Sequence, residues 1–228
     1  MQTIRKNIGF AVIMWLGVVF SSSGATIYDN TSNDLLTRFS AGTREVGDEI
    51  ILGGTERYLT NFTFEFYGTN TASPSSFAGS VEARVRFYRN DGGPFNGYAT
   101  PGSSFYDSGW FSVPSPTERS TFIFSAGSDF PVGGLFIPDS DITWSVQFQG
   151  MGLTDEVGVD IYSPVTVGAN YPDYWSNDGS GWMLLTNSVP MDFAARMEAT
   201  VPEPSSAALA VFGGLGALLI RHLLRRKE

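Results

Sequence analysis

The chain has 228 residues, no cysteine and one histidine, His222; both lysines (Lys6 and Lys227) and that histidine lie near its ends. Between positions 26 and 200 there is thus no Ser-His-Asp or Cys-His nucleophile, no lysine for Schiff-base chemistry and no imidazole or thiolate for zinc or copper. Eight arginines face 21 aspartates and glutamates over the same interval, an acidic balance that argues against nucleic acid as a partner and leaves a soluble surface protein or a collector of divalent cations.

The chain opens as an export signal. Arg5 and Lys6 supply a positive n-region, Ile8 to Phe20 an apolar run, and Ser23-Gly24-Ala25 a small-residue site, which predicts cleavage after Ala25 by way of the Sec export machinery. The competing reading, a permanent N-terminal anchor, is disfavoured by the short run and the small residues that end it.

From 26 to 200 the pattern is that of strands. Phe62, Phe64 and Phe66 alternate with Thr63 and Glu65, so one face is buried and one is wet. Val81, Ala83, Val85 and Phe87 alternate in the same way, as do 142–148 and 193–199. Shorter candidates are 26–29, 49–52, 105–113, 121–124, 157–162 and 182–186. Asn90-Asp91-Gly92-Gly93, Asn96-Gly97 and Asn177-Asp178-Gly179 supply the turns. Eight to ten short strands with no sustained helical periodicity predict an all-β domain, an antiparallel β-sandwich of jelly-roll-like form, with a closed barrel as the alternative. Without disulfides, its core alone must hold it. Three stretches read as long loops: 69–80, 92–104 and 171–181.

Two constellations could bind something. Asp139-Ser140-Asp141 precedes a strand, and Asp155-Glu156 sits in the next connection, so these four carboxylates are candidate hard-oxygen ligands for Ca²⁺. Their bland reading is turn formation and solubility. Tyr171, Asp173, Tyr174 and Trp175 put aromatic rings beside hydrogen-bonding groups, as a carbohydrate site requires; ordinary burial of Tyr and Trp is the competing reading. Asp155, Glu156 and Asp173 are also the candidates for a two-carboxylate glycosidase, against which solvated loop charge is the commoner explanation. The expectation is a domain that is not an enzyme.

The chain ends in three parts. Val201-Pro202-Glu203-Pro204 is a rigid, extended exit; Ala207 to Ile220 is uncharged; Arg221, Arg225, Arg226 and Lys227 close the chain with positive charge. Fourteen helical residues cover about 21 Å of a ~30 Å hydrocarbon core, and extension to Leu224 with Arg221 snorkelling approaches a span, predicting a membrane helix over 207–224 with its basic end cytoplasmic.

This ordered set resembles a PEP-CTERM sorting signal. The resemblance implies a Gram-negative bacterium with an exopolysaccharide-rich envelope. It further implies recognition by an exosortase, a membrane-embedded cysteine transpeptidase, and tail removal near the Pro-Glu-Pro motif. The expected location is therefore the inner membrane before processing and the cell surface or extracellular space afterwards. A second pattern, Phe87-Tyr88-Arg89-Asn90-Asp91-Gly92 followed by Pro101-Gly102 and Phe105-Tyr106-Asp107-Ser108-Gly109, resembles the extracellular sandwiches that precede such tails and implies the fold class alone.

Overall fold

A computed structural model describes residues 24–201. The expected signal peptide up to residue 23, the motif residues Pro202, Glu203 and Pro204, the 207–224 segment, and Arg221, Arg225, Arg226 and Lys227 lie outside the described residues.

The chain forms β1 (Ala25–Asp29), β2 (Asp34–Phe39), β3 (Glu45–Ile51), β4 (Tyr58–Asn70), β5 (Glu82–Arg89) and the small hairpin β6 (Pro94–Phe95) and β7 (Tyr98–Ala99). It continues through β8 (Ser104–Asp107), β9 (Phe111–Ser112), β10 (Thr117–Ser125), β11 (Leu135–Phe136) and β12 (Asp141–Gln149). It closes with β13 (Asp155–Tyr162), β14 (Ala169–Asn170), β15 (Asp173–Asn177), β16 (Trp182–Thr186) and β17 (Ala195–Thr200). No helix occurs among the described residues, so none there is long and apolar enough to cross a membrane.

The strands form two antiparallel sheets. The first runs β1-β17-β4-β13-β2, with β10 and β11 also on β4; the second runs β16-β15-β3-β12-β5-β8, with β14 on β3 and β9 on β5. At 13 residues, β4 is the longest strand, and it carries β10 and β11 along one edge and β17 and β13 along the other. Its length fits Leu59-Thr-Asn-Phe-Thr-Phe-Glu-Phe, where Thr and Phe fill five of eight positions and there is no proline or glycine.

The core lies between the sheets. Phe62 of β4 meets Phe87 of β5 edge-on at 5.0 Å and Trp144 of β12 at 5.3 Å, while Phe64 meets Trp144 at 5.7 Å. These contacts join one sheet to the other, so the arrangement is a two-layer β-sandwich. The expected alternation holds at Val81, Ala83, Val85 and Phe87, all of which are buried.

Three expectations need correction. The 171–181 stretch is not a loop, because β15 occupies its middle and pairs with both β3 and β16. The 105–113 candidate is two strands, β8 and β9, broken at Gly109, whose φ is +65°. An additional strand, β2, is interrupted by Leu36 at φ +55°, which turns that side chain outward and erases the period-two pattern.

Trp144 is fully enclosed at the centre of the aromatic contact and Val132 is 89% exposed. Trp144→Ala is expected to cost ~3–5 kcal/mol, and Val132→Ala to stay within about 0.5 kcal/mol. Urea unfolding midpoints check both; equal midpoints would remove the inter-sheet aromatics as the source of stability.

Candidate functional site

The outer face of the second sheet is polar and largely covered. Alternation on β3 turns Glu45, Gly47 and Glu49 to this face, and β12 pairs alongside so that Thr143 lies opposite Glu49 and Ser145 opposite Gly47. Glu45 accepts hydrogen bonds from Arg86 (2.6 Å), the Tyr88 hydroxyl (2.9 Å) and the Ser145 hydroxyl (2.6 Å), which satisfies a carboxylate that is almost fully enclosed.

Glu49 is the centre of the second polar group on this face. Trp175 lies beside Gly47 in register, and its indole N–H donates to Glu49 Oε2 at 2.8 Å. Asp141 lies close enough to the same carboxyl to act on it electrostatically, and itself accepts a hydrogen bond from the Asn90 amide at 2.8 Å. Burial, offset in part by the Trp175 hydrogen bond, lifts Glu49 from an ordinary value of 4.5 to about 7. Burial likewise raises Asp141 and Asp173.

A cavity of about 90 Å³ opens at Glu49, lined also by Tyr98, Tyr171, Asp173 and Leu184. Tyr98 reaches it from the β6–β7 hairpin, whose Asn96-Gly97 turn has φ +50° and +93°, the left-handed pair that a tight hairpin requires. Tyr98 and Tyr171 are 60% and 40% exposed, so ring faces remain available at the rim. A wider cleft of about 410 Å³ is lined by Asp141 together with Arg89, Asn90, Asp91 and Asp139. A carboxyl titrating near neutrality offers both a proton donor and acceptors, and aromatic rims offer stacking faces. That combination suits a hydroxyl-rich ligand.

The structure redistributes the residues singled out by sequence. Tyr171 and Asp173 line the cavity, whereas Tyr174 and Trp175 are buried. Tyr174 packs edge-on against Phe39 at 5.0 Å in the inter-sheet core, so the expected four-residue sugar platform is corrected to its first two members. Asp139 is held by Arg89 at 2.7 Å.

Asp155 accepts backbone N–H groups from Ala78, Gly79 and Gly152, each at 2.8 Å. Desolvation opposes its ionisation, but these donors outweigh it and keep its pKa below the usual carboxylate value. Glu156 accepts from the Tyr67 hydroxyl at 2.6 Å. The expectation that Asp139, Asp141, Asp155 and Glu156 share one Ca²⁺ is corrected by topology: the two pairs flank opposite ends of β12, roughly 26–30 Å apart at about 3.3 Å per residue. Among the described residues, no three His, Cys, Asp or Glu side chains converge as a metal-binding group. Val201 follows β17 and is half-exposed.

Sequence reasoning missed Glu49, Tyr98 and Leu184. Its one usable signal was the Gly-Asp-Glu-Ile-Ile run (47–51), in which a strand carries charge on both faces.

Glu49 gives a pH prediction. A carboxyl whose folded-state value is raised stabilises the fold fully below its unfolded value near 4.5 and loses that contribution as pH climbs through about 7. After discounting for solvent, Glu49 accounts for about 1–2 kcal/mol. The thermal midpoint is expected to fall from about pH 5 to about pH 8, and Glu49→Gln to flatten that fall; an unchanged slope in the variant would remove Glu49 as its cause. Comparison with family models, curated proteins and solved structures finds no match to the chain.

Proposed function

We propose that the chain is an exported, non-catalytic surface protein, a β-sandwich carried to the inner membrane by its N-terminal signal and held there by residues 201–228 until an exosortase-type transpeptidase releases or transfers it. The observation that carries this reading is the pairing of β1 with β17, which sets Ala25 opposite Ala199. The two ends of the described domain are thus neighbours on one edge, which supports two address segments directed at one membrane. Pro202, Glu203 and Pro204 would be the recognised element, immediately beyond the half-exposed Val201. Jelly-roll-like character is supported by the way the chain alternates between sheets along β3, β4 and β5 and again along β12, β13, β15 and β17.

A second reading has its own observation. The Glu49 cavity, rimmed by Tyr98 and Tyr171, supports retention of exopolysaccharide by the sandwich at the cell surface.

Mass spectrometry of the surface-exposed form is expected to find chains ending near Pro204, and Glu203→Ala to accumulate uncut precursor in the membrane. Intact 205–228 on the surface form would defeat the sorting proposal. For the second reading, pull-down by envelope polysaccharide is expected to weaken roughly tenfold in Tyr171→Ala, equivalent to ~1.4 kcal/mol. Undiminished capture would take this cavity out of consideration.

A further inference from the structure

Several buried polar side chains gather at one place between the two sheets. Tyr28 on β1, Asn30 just after it, Asp48 on the inward side of β3 and Asp192 ahead of β17 are all buried there. They gather around Phe193, whose N–H donates to Asp48 Oδ2 at 3.0 Å and whose carbonyl accepts from the Asn30 amide at 3.2 Å. The Asn170 amide nitrogen, on β14, is likewise buried with no hydrogen-bond partner among the described residues.

Four enclosed oxygens here, Tyr28 Oη, Asn30 Oδ1, Asp48 Oδ1 and Asp192 Oδ1, have no hydrogen-bond partner among the described residues. Native interiors leave few such atoms, and an ion or water is the usual reason for a group of them. No described arginine pairs with Asp48 or Asp192. A buried carboxylate needs a partner of opposite charge, a metal or a proton. A proton shared between the two would satisfy one pair of oxygens and leave Asn30 Oδ1 to the Tyr28 hydroxyl. A cation collects all the lone pairs at once.

We propose that Asp48, Asp192, Asn30 and Tyr28 form a buried calcium site between the two sheets. The set is oxygen only, with carboxylate, amide and phenol donors, which fits a hard cation and excludes a thiolate or imidazole metal. Calcium takes six to eight oxygens in flexible geometry, so backbone carbonyls or water complete the shell; magnesium demands a near-ideal octahedron and keeps its water. Asp48 comes from the second sheet, and Tyr28 and Asn30 come from the edge of the first. The ion would therefore fasten β1, the strand next to the expected cleavage site, to the opposite layer. These ligands are separate from Asp139, Asp141, Asp155 and Glu156.

The test uses the full chain in detergent micelles, stripped with EGTA and titrated with CaCl₂ at constant ionic strength. Calorimetry is expected to give one Ca²⁺ per chain with Kd on the order of 10⁻⁴–10⁻³ M. The thermal midpoint is expected to rise roughly 3–8 °C at ~10 mM, and less with MgCl₂. Asp48→Asn and Asp192→Asn lose that rise, while Asp139→Asn keeps it. Because the two Asn variants also perturb the core, Tyr28→Phe provides a second arm: Tb³⁺ luminescence excited through the aromatic rings drops in this variant and is quenched by Ca²⁺ in the native chain. No bound calcium would overturn the proposal, as would an undiminished rise in Asp48→Asn. So would loss of the rise in Asp139→Asn alone, which would place the ion in the acidic cleft. An Asp48→Asn chain more stable than the native one, with neither responding to calcium, would assign the pair to a shared proton instead.

Discussion

Phe62, Phe64 and Phe66 of β4 press against Phe87 and Trp144 of the facing sheet or against Phe122 beside them, and with no cysteine in the chain these aromatic contacts keep the two layers together. Each fully enclosed ring contributes on the order of 2–3 kcal/mol, so a cluster of this size supplies the margin that disulfides give small secreted domains. The cluster depends on one strand. Because β4 pairs along both edges for most of its length, it fixes where β10, β13 and β17 lie, and through β17 it fixes β1. The shared edge from which both chain ends leave is therefore a consequence of core packing.

Charge is arranged around that core with unusual economy of cations. Eight arginines serve 21 carboxylates between positions 26 and 200, so most acids must find other neighbours. Some cap backbone N–H groups, as Asp155 does for Ala78, Gly79 and Gly152. Others gather where burial raises their pKa, as at Glu49, lifted to about 7, and at Asp141. Strand β3 displays both solutions on its two faces: Glu45 and Glu49 point to the covered outer surface, while Asp48 points into the interior beside Phe193. A strand with acids on both faces is costly in a sandwich, and here the cost coincides with the two most polar places in the described domain.

The outer surface of the second sheet also shows how a cover makes a site. The β6–β7 hairpin brings Tyr98 to the rim of the cavity at Glu49, opposite Tyr171. Trp175, enclosed beneath, holds the Glu49 carboxyl in place through its indole N–H. The ring nearest the carboxyl therefore positions it, and the two exposed tyrosines are the ones open to a ligand.

Alternation of Phe62, Phe64 and Phe66, and of Val81, Ala83, Val85 and Phe87, made the all-β character legible, because a half-buried strand repeats every two residues whatever its partners are. The same rule concealed β15: Tyr174 enters the core while Trp175 is buried on the other face, so nothing alternates. It concealed β2 as well, where Leu36 at positive φ breaks the period.

By itself, then, the sequence determined a strand-rich, disulfide-free, acidic domain between two apolar ends, since composition and short-range periodicity are local properties. Tertiary structure alone decided that Asp141 and Asp173 both lie near Glu49 rather than Asp155, that Tyr174 and Trp175 are interior, and that Asp48 and Asn30 both bond to Phe193 between the sheets. Such meetings depend on which distant strands pair and in what register, and one residue of slip would send each of these side chains to the opposite face.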